Sequence, residues 1–288
     1  MKVWIDGAVV EGSQARIPVT DHGFLYGDGV FEGIRVYNGR IFRFDDHLSR
    51  LALGARCLGL TIPGGVEGVR RIVIDTARAH GGEDAYLRLI VSRGEGPLGV
   101  DPTTCENPRI VCIAYQVSLY PEEKIRAGIA LVTSSLRRPA PDALDTRVKS
   151  LNYLNNALAK QEARLRGADE ALLLNAAGRV VEASVANVFA VRAGRLLTPP
   201  ATDGALEGLT RATVLELAPQ QRVPVEERTL GRFDLLAAEE VFLTGTGDGI
   251  VAVGSLDGIG IGKGGPGPIT RRICQAFEQY ARSTGTPI

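Results

Sequence analysis

Asn38-Gly39 sits between two runs of extended character within residues 35–44. An Asn-Gly pair in that setting dictates a two-residue β-hairpin, because the favoured turn needs positive φ at both central positions. The chain is committed near its start to antiparallel pairing. Asp6-Gly7 gives a second turn signal inside a strand pattern over residues 3–10. Beyond the hairpin the apolar period changes to that of a helix. Asp45 or Asp46 is placed to cap a helix reaching Leu58, with Leu48, Leu51, Ala55 and Leu58 on one stripe. A second helix is predicted over 67–80, with Val69, Ile72, Val73 and Thr76 on one face and Gly81-Gly82 as its stop. Apolar strands follow over 85–92 and 109–117, and Tyr120-Pro121 marks a junction.

After the junction the pattern predicts a strand over 127–134, a Pro-bearing surface loop over 137–145 and a helix over 151–166 ended by Gly167. Strands are predicted over 170–174, 180–182, 187–192, 195–197 and 240–243, and helices over 210–217 and 269–282. There is no internal repeat and no low-complexity tract. The expectation is an α/β (α+β) fold in two domains, residues 1–120 and 121–288.

Composition excludes several classes. Lys and Arg balance Asp and Glu at 33 each, with no basic run and no aromatic-basic interleaving, which argues against nucleic acid. No apolar stretch has the length to span a bilayer, so no membrane partner is expected. The first residues read as a strand, without a signal-peptide core. Cys57, Cys105, Cys112 and Cys274 are scattered without metal-ligand spacing, which reads as four reduced thiols in a cytoplasmic protein.

Lysine occurs at only five positions: Lys2, Lys124, Lys149, Lys160 and Lys263. A lysine amine can form a Schiff base with a carbonyl compound, which arginine cannot. Lys149 opens the run K-S-L-N-Y-L-N-N, four positions before Tyr153. In a helix those side chains would share a face. They read either as a capping lysine with a half-buried tyrosine or as an aldehyde anchor with a phenol beside it. Glu182 lies among apolar strand residues and needs a partner there. That partner is either one of the many arginines or the nitrogen of a pyridine ring. The Leu209-Thr210 helix start and the Gly/Thr loop over 244–249 are each candidate anion sites or simple turns. Tyr86 and Arg88, two apart on a strand, share a face; they form either a surface pair or a carboxylate grip. His47 and His80 read as ordinary helical residues.

Taken in order, these stretches resemble the class IV aminotransferases, the fold-type IV pyridoxal-phosphate enzymes. The landmarks are Y-G-D-G-V-F-E-G-I-R at 26–35, F-D-D-H-L-S-R-L at 44–51, Y-L-R at 86–88, K-S-L-N-Y at 149–153, V-E-A-S-V-A-N-V-F at 181–189, L-E-G-L-T-R at 206–211 and T-G-T-G at 244–247. The resemblance implies pyridoxal 5′-phosphate held in a cleft between a small first domain and a larger cofactor-binding second domain. It implies Lys149 as the catalytic Schiff-base lysine, Arg50, Leu209, Thr210 and Thr246 at the phosphate, Tyr153 at the ring oxygen and Glu182 at the ring nitrogen. It places Tyr26, Phe31, Arg35, Tyr86, Arg88, Thr246 and Gly247 around the substrate, and no metal.

Among the branches, Y-L-R and F-E-G-I-R are most similar to the branched-chain amino acid aminotransferases. Leu98 and Val100 stand where the D-amino-acid branch carries an arginine and a histidine. The expected activity is transamination of Leu, Ile and Val with 2-oxoglutarate. The alternatives are a D-amino acid or (R)-amine transaminase, an aminodeoxychorismate lyase, or a metabolite-binding protein on the same fold. The resemblance also implies at least a homodimer, with active-site loops crossing between subunits.

Overall fold

In a computed structural model, residues 1–288 fall into two compact units. The first holds Met1–Val117, Val148–Asn152 and Ala281–Ile288; the second holds Ser118–Arg147 and Tyr153–Tyr280. Lys149 therefore belongs to the first unit, through a short return of the chain.

The first unit contains β1 (Lys2–Ile5), β2 (Ala8–Glu11), α1 (His22–Tyr26), β3 (Gly29–Tyr37), β4 (Arg40–Ile41), α2 (Phe44–Cys57), α3 (Gly65–His80), β5 (Ala85–Ser92) and β6 (Arg109–Tyr115). Its antiparallel sheet runs Thr286–Pro287, β4, β3, β5, β6, β1, β2. The two turn signals act as expected: Asn38 and Gly39 stand at φ 49 and 68, Asp6 and Gly7 at φ 51 and 87. Val30, Ile34 and Val36 of β3 pack with Leu87, Leu89 and Val91 of β5 and with Phe44, Leu48 and Leu51 of α2 in one core. The expected aspartate cap of α2 does not form. Arg43 holds the N-cap position in the left-handed region without a side-chain cap, and Asp45 and Asp46 sit in the first turn. There they meet the positive end of the helix dipole.

The second unit contains α4 (Glu122–Ala127), β7 (Ile129–Arg137), α5 (Leu154–Leu165), β8 (Glu170–Leu174), β9 (Val180–Ala183), β10 (Asn187–Arg192), β11 (Arg195–Thr198), α6 (Leu209–Gln220), β12 (Val225–Glu227), α7 (Arg232–Leu236), β13 (Glu240–Gly245), β14 (Gly249–Leu256) and β15 (Ile259–Gly260). The closing helix α8 (Pro268–Ser283) follows. The sheet runs β12, β11, β10, β13, β14, β7, β8, β9, with β15 on β14. It is mixed, with parallel pairing at β11/β12, β14/β7 and β7/β8.

One expectation fails at an informative place. The helix predicted from residue 151 begins at Leu154. Ser150 forms an antiparallel bridge with Val30, the Phe31 amide donates to the Lys149 carbonyl at 3.0 Å, and the Leu151 amide donates to Gly29 at 2.9 Å. Ser150 bridges β3 and Leu151 lies in a bend, so none of residues 149–151 is helical. Lys149 and Tyr153 consequently do not share a helical face.

Candidate active site

Strand alternation builds the first cluster. Successive side chains of β3 point to opposite faces, so Phe31, Gly33 and Arg35 share one face and Val30, Glu32, Ile34 and Val36 the other. The β3/β5 register sets Gly33 opposite Arg88 and Arg35 opposite Tyr86. Arg88 Nη2 lies 3.4 Å from the Tyr86 hydroxyl, so this Tyr-Arg pair does form on one face. A Cβ on Gly33 would overlap that hydroxyl, which is the local reason for glycine there.

Phe31 ties this pair to Lys149. The Arg88 guanidinium carbon lies 4.6 Å from the centre of the Phe31 ring, and Lys149 Nζ lies 4.5 Å from the same point. A cation over a ring face is electrostatically favoured. One buried phenyl ring thus carries both a primary amine and a guanidinium. Arg88 Nε is buried with no hydrogen-bond partner. Arg35 instead lies over the ring of Tyr37 at 5.1 Å, and the Tyr26 hydroxyl accepts from the Gly99 amide at 3.0 Å.

Arg50, on α2, pairs on the core side of β3. Its Nε and Nη2 meet the two carboxylate oxygens of Glu32, each at 2.7 Å, and His47 Nδ1 meets Glu32 Oε2 at 2.7 Å. Glu32 and His47 are 0% and 1% exposed. Burial alone would raise the Glu32 carboxyl, but Arg50 and His47 outweigh it and bring it down to about 2. Burial pushes the His47 imidazole below its ordinary value despite the facing carboxylate. Sequence reading gave His47 no role and left Glu32 without one. A carboxylate in the aliphatic row Val30, Ile34, Val36 was the available signal.

The second unit holds the other candidates. Glu182 is buried on β9. Its Oε1 pairs with Arg138 Nη2 at 2.7 Å, and its Oε2 accepts from Asn187 Nδ2 and from the Leu206 amide, both at 3.0 Å. The arginine partner considered from sequence is therefore present, and it is Arg138, which sequence reading did not name. Arg138 Nη1 donates to Asn156 Oδ1 at 2.8 Å, and Asn156 Nδ2 donates to the Ser184 carbonyl at 2.7 Å. Arg138 and Asn156 are themselves buried, so the carboxylate rests on a fixed polar frame.

Asn187 connects Glu182 to the start of α6. A Cβ on Gly208, the α6 N-cap, would overlap Asn187 Oδ1. That helix start has no side-chain cap, and Thr210 in its first turn is buried. Its amides and dipole favour an anion. Thr246 and Gly247 lie in the turn from β13 to β14, where Asp248 Oδ2 accepts the Leu119 amide at 2.9 Å. Thr244 Oγ1, at the end of β13, is buried without a partner. Tyr153 stands at the α5 N-cap position, half-buried.

The amino-transferase class IV family model matches residues 29–256. A Methanocaldococcus jannaschii protein, provisionally named a branched-chain-amino-acid aminotransferase, is 43% identical over 100% of this chain and 99% of its own length. The branched-chain aminotransferase of the archaeon Thermoproteus uzoniensis, solved with norvaline, is similar at a TM-score of 0.91 and 37% identity, covering 98% of this chain and 95% of that one. The T.th. branched-chain amino acid aminotransferase, solved with pyridoxamine 5′-phosphate, is similar at 0.93 and 34%, covering 98% and 94%. On its matched landmarks and this end-to-end similarity, the chain belongs to the class IV aminotransferases.

Proposed function

We propose that this chain transfers amino groups from leucine, isoleucine and valine to 2-oxoglutarate, using pyridoxal 5′-phosphate. The single observation that carries this reading is the shared ring of Phe31. It brings an amine, Lys149, and a carboxylate-binding group, Arg88, onto one side chain. An amino acid offers the matching pair, an α-carbon to deprotonate and a carboxylate to hold. The similar T.th. enzyme was solved with the amine form of this cofactor, which supports the same group here.

The residues present fit that cofactor. A buried carboxylate on a fixed frame suits a protonated pyridine nitrogen, an uncapped helix start with a buried threonine suits a phosphate, and a lysine suits the aldehyde. Lys149 would hold it covalently, with Arg50, Leu209, Thr210 and Thr246 at the phosphate, Tyr153 at the ring oxygen and Glu182 at the ring nitrogen. When bound, the group supplies an electron-withdrawing ring that makes the α-proton of the amino acid removable. Displaced from the cofactor by the substrate amine, Lys149 Nζ would take that α-proton as general base and later return a proton as general acid. Glu182, ionised opposite Arg138, keeps a proton on the ring nitrogen. Arg88 and Tyr86, with the amides of Thr246 and Gly247, hold the α-carboxylate. Phe31 shapes the apolar side of the pocket, and Tyr26 and Arg35 border the substrate.

The working form is proposed to be at least a homodimer in the cytoplasm. Leu98 and Val100, 82% and 80% exposed on the loop tied to Tyr26, support a partner surface there. No helix is long and apolar enough to cross a membrane.

The test is the rate of amino transfer from L-leucine, L-glutamate, D-alanine and an (R)-amine. L-Leucine should react fastest of the non-glutamate donors. Faster transfer from D-alanine would overturn the substrate assignment.

A further inference from the structure

We propose that Glu32, backed by His47, is a positioning residue that fixes the Arg50 guanidinium in the orientation from which it binds the cofactor phosphate. This rests on the reading of Arg50 as a phosphate ligand given above.

Glu32 is buried in the middle of β3. Its strand neighbours on the same face, Val30, Ile34 and Val36, belong to the hydrophobic core with Leu48 and Leu51 of α2. Period two calls for an aliphatic side chain at that point. A carboxylate there, 0% exposed, is costly to desolvate. Replacing a buried ion pair with well-packed apolar groups is often neutral or stabilising, so core stability alone does not account for the pair. Its geometry does suggest an account. Nε and Nη2 of Arg50 form a two-point fork on Glu32, with both contacts at 2.7 Å. A guanidinium has five N–H donors in one rigid plane, and this fork uses two of them while fixing the plane of all five. A long arginine side chain otherwise loses considerable rotamer entropy when it binds. The fork meets that cost before any ligand arrives.

His47 completes the arrangement. It lies three residues before Arg50 on the same helix, so both reach Glu32 from one face of α2. An ionised Glu32 can only accept, so the His47 proton is on Nδ1 and donates to Oε2. Burial keeps the imidazole neutral. Glu32 is thereby held by three contacts, and the cluster carries one negative and one positive charge. Arg50 side-chain exposure of 13% leaves the guanidinium at the margin of the core, while its anchor is fully enclosed.

The test compares two cofactors that differ only in the phosphate. Dissociation constants for pyridoxal 5′-phosphate and for pyridoxal are measured by absorbance on the full chain freed of cofactor. In E32Q, affinity for pyridoxal 5′-phosphate should fall by about 10- to 100-fold, the loss seen when partners that orient metal ligands are removed, while affinity for pyridoxal stays within about twofold. Equal losses for both would mean a merely structural role and overturn the proposal. Unchanged or tighter binding of pyridoxal 5′-phosphate would overturn it too, since Glu32 would then only offset charge. R50Q separates this from the underlying reading: if R50Q keeps full preference for the phosphorylated form, Arg50 is not the phosphate ligand. In the R50Q background, E32Q should change that preference no further. Should E32Q fail to fold, H47L carries the test by removing one of the three donors. A few-fold loss of phosphate preference is expected, and no loss would overturn the proposal.

Discussion

Glu182 and Arg138 form an ion pair at 2.7 Å in which both side chains are about 5% exposed. In so dry a setting, removing one partner leaves a charge stranded. E182A or R138A should each destabilise the fold by about 3–5 kcal/mol, and the double variant by less than the sum of the two. Denaturant unfolding of the four forms checks this. Additive losses would mean the pair is not coupled.

Acid should weaken the first unit through Glu32 and His47. The Glu32 carboxyl is lowered in the folded state to about 2, so its contribution is fully present above the ordinary carboxylate range and is lost as pH falls from about 4.5 towards 2. The His47 imidazole is also lowered, so keeping it neutral begins to cost stability as pH falls below its ordinary value of 6.5. Both effects have the same sign. Unfolding midpoints should drop from neutral pH to pH 3, and the part below pH 4.5 should shrink in E32Q. An E32Q profile parallel to that of the unaltered protein would contradict this.

Gly208 should tolerate no side chain. Its φ of −67 is ordinary, so the obstacle is the overlap with Asn187 Oδ1 and not backbone strain. Asn187 also donates to Glu182 and to the Leu206 carbonyl. G208A is expected to destabilise by about 1–3 kcal/mol through overpacking and to weaken cofactor retention. Thermal unfolding and cofactor absorbance report the two effects separately.

Lys149→Ala should leave the fold intact while transamination falls by at least about 100-fold, the lower end expected for losing a positioned general base. The melting temperature is the control. A variant that melts normally and still turns over would remove Lys149 from the chemistry.

The features legible in sequence are those set by local pattern. Strands β5, β8 and β10 appear at the predicted residues because short, mostly apolar runs were set off from their neighbours by Gly, Asn or charged residues. The Asn38-Gly39 turn was readable for the same reason. β14 was hidden: its run G-I-V-A-V-G-S-L is bounded by glycines and follows a stretch read as loop, yet β13 and β7 flank it in the sheet. α4 was concealed by Tyr120-Pro121, a junction signal that also opens a short helix. The helix before Leu154 failed because pairing of Ser150 with Val30 overrode local propensity. At the site, the ordered landmarks pointed to Lys149, Arg50 and Glu182. Their partners Glu32 and Arg138 lie far off in sequence, and only the folded chain brings each carboxylate to its guanidinium.

The scarcity of lysine makes the role of Lys149 open to a decisive test. Borohydride reduction of the protein loaded with pyridoxal 5′-phosphate, followed by peptide mapping, should place one phosphopyridoxyl group on Lys149 and none on Lys2, Lys124, Lys160 or Lys263. Its appearance on another lysine, or on none, would contradict the assignment.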